Sequence, residues 1–378
     1  MKDIVIAGYT RSPFHFATKG ALTKIRPDDL AAHVVKGLVE RTGVNPDDVE
    51  DLILGCAFPE GEQGFNMARL VGLMAGLPIS VAGTTVNRFC GSSMQAIHMA
   101  AGAIQMGAGD VFICAGVESM SRVPMSGFNP MPNPALCESM PAAYMSMGET
   151  AENVGREYAI SREEQEVFAV ASQHKAGEAQ TKGLLAEEIV PIEVGERSIA
   201  EDGCLRPTTD LEGLAGLKLA FDENGTVTAG TSSPLTDGAA ATLVCSLDYA
   251  NANNLTPMAR IAGIAVSGCK PETMGLGPIF SSRKALSRAG IEAKDLDVVE
   301  INEAFATQSI ASIRDLELDT AKVNIDGGAI AIGHPLGATG ARITGKAAQL
   351  LKREGGRYAL STQCIGGGQG IATVLEAA

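Results

Sequence analysis

The chain states one pattern twice, and that repetition limits its folds more than any other feature. Leu38-Val39-Glu40-Arg41-Thr42-Gly43 reads as a helix end stopped by glycine, and Asp51-Leu52-Ile53-Leu54-Gly55 follows as a short apolar strand. Leu286-Ser287-Arg288-Ala289-Gly290 and Asp297-Val298-Val299-Glu300-Ile301 repeat that pair. Thr85-Val86-Asn87 is matched by Lys322-Val323-Asn324, and each leads through a glycine-containing turn into a long helix. Those helices end near Gly107 and Gly355, before the strands Asp110-Val111-Phe112-Ile113-Cys114 and Tyr358-Ala359-Leu360-Ser361-Thr362-Gln363-Cys364. Helices alternating with β-branched strands predict layered α/β sheets. Two matching halves predict a duplicated domain with pseudo-twofold symmetry and a site shared at the strand ends.

A third region interrupts the repeat. It opens with the proline-, serine- and methionine-rich run SRVPMSGFNPMPNPALCESMPAAY and continues into a polar helix over residues 161–180, capped by Ser161 with Glu164. Residues 119–236 hold 8 Lys/Arg against 18 Asp/Glu, a net of −10 within a chain of net −14. The expected organisation is a first half over residues 1–117 plus about 236–257, an inserted loop or lid domain over 118–235, and a second half over 258–378. The acidity argues against nucleic acid and anionic membrane surfaces as partners. The apolar opening, MKDIVIAGYTRSPF, reads as a core strand and not as a targeting peptide. No apolar run approaches a membrane span, so no membrane insertion is expected.

Chemistry concentrates in a few turns. In VNRFCGSSMQAI, Cys90 stands between a short strand over residues 81–86 and a helix over 94–104, both expected to be buried, at a helix N-terminus that favours a thiolate. The second half offers Asn302 in Val299-Glu300-Ile301-Asn302-Glu303-Ala304-Phe305. It also offers His334 in GGAIAIGHPLG and Cys364 in CIGGGQG. Glycine-rich turns admit close substrate approach, and their amides can form an oxyanion hole. The eight cysteines include no CxxC spacing, which predicts reduced thiols in a cytoplasmic setting and no metal site. GGGQG and GHPLGATG fit neither a phosphate loop nor a dinucleotide fingerprint.

Taken in order, VNRFCGSS, NEAFA, GGAIAIGHPLGATGAR and CIGGGQG resemble the thiolase family over nearly the whole chain. Met147-Gly148-Glu149-Thr150-Ala151-Glu152-Asn153 and the segment from Thr228 to Ala240 resemble it as well. The resemblance implies a thiolase-like fold, a layered αβαβα arrangement of duplicated halves with an inserted loop domain. It implies Cys90 as the acyl-carrying nucleophile and His334 as acceptor of its proton. Cys364 becomes the acid/base at the α-carbon of acetyl-CoA, and Asn302 the holder of a water. The amides of Cys90 and Gly366 become an oxyanion hole. Coenzyme A is then a substrate, with no bound cofactor. Arg206, Lys218 and Ser233 are expected near its nucleotide or pantetheine part, and Met147, Phe221 and Phe305 along the pantetheine and acyl channel. A homodimer or homotetramer paired through the first-half sheet is expected.

Short-chain biosynthetic members carry histidine before the Met-Gly that corresponds to Met147-Gly148; here Ser146 stands there. ALCESMPAAYMSMGETAENV is more similar to the degradative branch, the 3-ketoacyl-CoA thiolases of β-oxidation. That favours broader or longer acyl chains over a strict acetoacetyl-CoA enzyme. Met120, Met125, Met131, Met140, Met145 and Met147 suit either an adaptable acyl pocket or irregular core filling. Three other readings compete: a decarboxylating condensing enzyme, a non-catalytic CoA- or lipid-binding scaffold, and a cysteine hydrolase. Each leaves Cys364 in its glycine turn unexplained.

Overall fold

A computed structural model describes residues 2–378. The first half runs β1 (Ile4–Arg11), β2 (His15–Phe16), α1 (Pro27–Thr42), β3 (Asp51–Gly55), α2 (Met67–Met74), β4 (Ala82–Val86), α3 (Ser92–Gln105) and β5 (Val111–Ser119). An excursion follows with α4 (Pro134–Ser139), α5 (Met147–Glu157), α6 (Arg162–Thr181), the hairpin β6 (Ile192–Val194) and β7 (Arg197–Ile199), and α7 (Leu211–Ala215). The chain returns through β8 (Thr236–Ser246) and α8 (Leu247–Ala252). The second half is β9 (Ala259–Gly268), α9 (Gly277–Ala289), β10 (Val298–Ile301), α10 (Ala306–Asp315), α11 (Ala329–Ile332), α12 (Leu336–Glu354), β11 (Tyr358–Ile365) and β12 (Gln369–Ala377).

Sheet topology carries the duplication seen in the sequence. The order is β10-β11-β12-β9-β1-β8-β5-β3-β4. Reading outward from the centre, β1-β8-β5-β3-β4 in one half matches β9-β12-β11-β10 in the other. The halves join where β1 meets β9 antiparallel, through Val5 opposite Arg260 and Ile6 opposite Ala259. The fifth strand of the second half shrinks to one parallel bridge, Val299 with Val323. The cause lies in Asn324, whose side chain accepts from Ile301 N–H and donates to Ile301 C=O, both at 2.9 Å, in place of a backbone partner.

Helices α1 and α2 cover the outer face of the first half, and α9 covers that of the second. Between the halves lie α3 and α12, which touch each other and strands of both. The layers are therefore αβαβα, and the central strands β1, β5 and β8 are buried along their whole length, as strands covered on both faces must be. Gly55 and Gly116 let the two central helices start against the sheet. A Cβ on Gly55 would lie 2.4 Å from Ser93 N, and one on Gly116 would lie 2.1 Å from Gly337 O. Both helix N-termini consequently converge at one end of the sandwich.

The strand expected over 81–86 is β4, but it is not buried: it forms the sheet edge and is part-exposed along its length. The expected cap of the polar helix is present, since Ser161 and Glu164 exchange hydrogen bonds across the first turn of α6. That arrangement satisfies two otherwise orphaned donors and is worth about 1 kcal/mol.

Candidate active site

The Cys90 turn is built from local hydrogen bonds. Asn87 Oδ1 accepts from Phe89 N–H at 2.9 Å, Ser92 Oγ accepts from Arg88 N–H at 2.9 Å, and the Ser92 hydroxyl donates to Phe89 O at 2.6 Å. These bonds hold Phe89 at φ +43°, in the left-handed region, so that the chain reverses and delivers Cys90 just before α3. Two glutamines tie this turn to the second half. Gln363 Nε2 donates to Cys90 O, and Arg88 Nη1 donates to Gln369 Oε1 at 2.8 Å.

The partner turn joins β11 to β12 through Gly366, Gly367 and Gly368, the last two at φ +77° and +84°. Only glycine takes up such a pair without strain. The turn lies beside Cys90: a Cβ on Gly91 would sit 2.6 Å from the Ile365 side chain, and the Gly366 and Cys90 amides favour the Cys90 anion. A Cβ on Gly366 would sit 3.5 Å from both the Met147 sulfur and the Phe89 ring, so Phe89 and Met147 flank this meeting point. Cys364 is fully buried at the end of β11, with its thiol directed at Gln308 Oε1 at 3.5 Å. It packs among Ala151, Val227, Met274, Ala304 and Phe305, with Met147 against them.

His334 follows Gly333, whose φ of +112° and contact with Thr236 exclude a side chain. The imidazole is buried between two side chains: Nε2 lies 3.3 Å from Asn302 Nδ2 and Nδ1 lies 2.6 Å from Thr339 Oγ1. Asn302 itself is fully buried, held at the end of β10 by its N–H to Thr362 O at 3.0 Å, and its Oδ1 has no partner. The first turn of α12 bonds to that of α3 through Ala341 N–H to Ser93 Oγ at 2.8 Å. This bond sets the GHPLG turn beside the Cys90 turn.

The electrostatics favour neutral groups. Burial pushes the Cys90 thiol up to about 12, against the two amides that stabilise its anion. The amides expected to favour a Cys90 thiolate are opposed here by its removal from water. Burial also drives Cys364 well above the ordinary thiol range, with the Cys90 charge adding to the effect. Burial, aided by the charge of Arg342, lowers His334 to about 3.

Glu118 organises the loops behind Cys90. Its Oε2 accepts from Ala57 N at 2.8 Å and Gly337 N at 2.9 Å, and its Oε1 from Phe58 N at 3.2 Å and Gln63 Nε2 at 2.8 Å. Glu303 similarly ties α6 to the second half, accepting from Ser172 Oγ, Asn324 Nδ2 and Ile330 N. Neither carboxylate stood out in the sequence, nor did Gln308, Gln363 or Thr339. Thr339 was visible in the GHPLGATG string, one helical turn beyond the histidine, but nothing marked its side chain as the ring's partner.

The residues expected around coenzyme A are dispersed. Arg206 lines a cavity of about 750 Å³ with Phe16, Ser232, Ala229, Pro234 and Ile330. Its guanidinium lies 4.7 Å from the centre of the Phe16 ring. Neither Cys90 nor Cys364 lines that cavity. Lys218 is exposed and outside it, and Ser233 is engaged through its N–H with Ala304 O at 2.9 Å. Phe221 meets Phe305 edge-on at 5.8 Å, and Phe305 belongs to the cluster packed around Cys364. The methionines do not share a pocket: Met120 packs with Cys90, whereas Met125, Met131 and Met140 are exposed. Among the described residues, no cluster of three or more His, Cys, Asp or Glu side chains is placed to hold a metal ion. Among these residues, too, no helix is long and apolar enough to cross a membrane.

Comparison with known proteins gives a consistent result. Residues 4–248 match the model of "Thiolase, N-terminal domain" and residues 255–377 that of "Thiolase, C-terminal domain". A protein named 3-ketoacyl-CoA thiolase from Bacillus subtilis (strain 168) is 46% identical over 389 residues, covering all of both chains. One of the same name from Marinomonas sp. (strain MWYL1) is 49% identical over 384 residues, covering 99% of this chain and 98% of its own. The crystal structure of human mitochondrial 3-ketoacyl-CoA thiolase in complex with CoA superposes with a TM-score of 0.93 at 38% identity, covering 100% of this chain and 98% of that one.

Proposed function

The chain belongs to the thiolase family, and on that premise we propose that Cys90, His334, Asn302, Cys364 and Gly366 form its catalytic centre. The protein is a thiolytic acyltransferase, and cleavage of 3-ketoacyl-CoA is favoured over a strictly acetoacetyl-CoA biosynthetic role. One observation supports the assignment of residues: the turn that follows Cys364 packs against the turn holding Cys90, with Gly366 beside Phe89 and Gln363 Nε2 donating to Cys90 O.

The chemistry follows from neutral groups that exchange protons only during reaction. His334 Nε2 takes the Cys90 proton as the sulfur attacks the 3-keto carbon. The tetrahedral oxyanion collapses with cleavage of the C2–C3 bond, leaving acyl-Cys90 and the enolate of acetyl-CoA. Cys364, protonated at neutral pH because it is buried, gives its proton to the enolate carbon. Incoming coenzyme A returns a proton to the Cys364 thiolate. Its own thiolate then attacks the acyl-Cys90 carbonyl, whose oxygen faces the Cys90 and Gly366 amides. Cys90 leaves as thiolate and recovers its proton from His334. Each oxyanion-hole donor is worth about 3 kcal/mol of barrier. No step draws on a bound cofactor; coenzyme A is a substrate, as its complex with the human relative supports.

Residues 118–235 act as the substrate-carrying lid, a reading supported by Met147, Ala151 and Val227 of that segment, which pack against Cys364. Arg206 carries the nucleotide end, in the cavity it lines. A second copy pairs through the β4 edge, where Phe65 and Ile79 flank the strand at 95% and 82% exposure. A cytoplasmic location accords with eight unpaired thiols. Iodoacetamide labelling followed by peptide mass mapping tests the assignment. Cys90, whose proton His334 can take, is expected to be labelled and to be protected by acyl-CoA; a Cys90 whose labelling acyl-CoA does not slow refutes it.

A further inference from the structure

We propose that Thr339 is a positioning residue that fixes His334 in the tautomer with its ring proton on Nδ1, so that Nε2, which accepts from the Asn302 amide at rest, is the basic nitrogen of the ring. The inference rests on the catalytic reading above only for the role of that nitrogen; the tautomer rests on geometry alone.

Thr339 is 1% exposed and owns one hydroxyl proton, with two acceptors in reach. One is Pro335 O, four residues back in the same helical turn, at 3.1 Å; the other is His334 Nδ1, at 2.6 Å. A carbonyl can only accept, whereas a ring nitrogen can take either role, and threonine in a first helical turn habitually bonds back to the carbonyl four residues earlier. With the hydroxyl proton on Pro335 O, the short contact to Nδ1 requires an N–H on the ring. The other end of the imidazole agrees. Asn302 Nδ2 lies 3.3 Å from Nε2, so a proton on Nε2 would set donor against donor. Turning the Asn302 amide over would relieve that clash but orphan its buried N–H groups. The observed arrangement leaves Oδ1 and one N–H unpaired against two N–H groups in the turned one, and buried acceptors are left unpaired less rarely than buried donors.

The result is a polarised line from the Asn302 amide through Nε2, Nδ1–H and the Thr339 hydroxyl to the Pro335 carbonyl. It differs from a carboxylate-backed histidine in one respect: no negative charge stands behind the ring. A proton taken from Cys90 is therefore held weakly and returned readily, which suits a base that must give it back once per turnover.

Thr339→Val keeps the shape and deletes the oxygen; Thr339→Ser keeps the oxygen. The test combines nitrogen-15 NMR of histidine-labelled protein, with His334 assigned by its loss in His334→Asn, and the rate of Cys90 acylation by acyl-CoA. Wild type and Thr339→Ser are expected to show protonated Nδ1 and bare Nε2. In Thr339→Val the two resonances should shift toward each other or exchange, and acylation should fall at least about tenfold. A wild-type ring carrying its proton on Nε2 overturns the proposal, as does a valine variant with unchanged tautomer and unchanged acylation. Failure of wild-type Cys90 to acylate at all would instead overturn the catalytic reading, and the nitrogen signals would still decide the tautomer.

Discussion

Replacing Glu118 by glutamine probes how the loops behind Cys90 are held. The change is isosteric and removes one acceptor oxygen. The remaining amide oxygen does most where two backbone donors converge, at Ala57 N and Gly337 N. Its NH2 then faces Phe58 N and Gln63 Nε2, donor against donor. Gln63 cannot escape by turning its own amide. Its Oε1 accepts from Ser119 N at 2.7 Å and its Nε2 also donates to Phe58 O at 2.8 Å, and a flip breaks both. Two buried donors are thus left opposed, at roughly 1–3 kcal/mol each, for a loss of about 4 kcal/mol. Glu118→Ala opposes nothing but strands all four donors beside a cavity and should cost more. Urea unfolding at fixed protein concentration, with wild type alongside, measures both. The charge of Glu118 also raises the Cys90 thiol. Folded Glu118→Gln should accordingly alkylate faster at Cys90 at a given pH. A glutamine variant within about 1 kcal/mol of wild type would show that the four-donor cradle is not what positions these loops.

Two further outcomes are expected. Glu300 is fully buried beside Arg342, and burial lifts its carboxyl to about 7. Its folded form binds a proton more tightly than its unfolded form, so its stability contribution is complete below about 4.5 and is lost as pH rises through 7. The span amounts to at most about 3 kcal/mol, and Glu300→Gln should flatten the stability profile between those values; an unchanged slope in that variant contradicts the assignment. A panel of 3-ketoacyl-CoA substrates of increasing length, followed at the enolate absorbance, should show cleavage continuing beyond the four-carbon substrate, and activity confined to acetoacetyl-CoA would restore the biosynthetic alternative.

The sequence carried the duplication because each half had to solve the same packing problem. Asp51-Leu52-Ile53-Leu54-Gly55 and Asp297-Val298-Val299-Glu300-Ile301 occupy equivalent strands, and Gly43, Gly290 and Gly355 end their helices in the left-handed conformation. The turns bearing Cys90 and Cys364 were equally visible, since glycine and small polar residues mark sharp reversals locally. Long-range outcomes were not. Nothing in the residues of β4 says that no strand lies beyond it. The side chain of Asn324 replaced a strand with its own two hydrogen bonds, an exchange that the pattern Lys322-Val323-Asn324 does not display. A helix N-terminus marked Cys90 as a place that favours a thiolate; the packing of Met120, Leu336 and Ala57 around it, known only once the halves close, adds a burial that opposes this. Gln308 became notable only when Cys364 arrived from elsewhere in the chain, and Thr339 only once the turn had set its hydroxyl against the His334 ring.

Hydrogen–deuterium exchange at the methyl carbon of acetyl-CoA reports directly on the division of labour between the two sulfurs. Wild type should exchange that proton. Cys364→Ala should not, while mass spectrometry still finds acyl groups on its Cys90 after incubation with acyl-CoA. Exchange that survives in Cys364→Ala would mean that another group moves the proton and that the meeting of the two turns serves some other end.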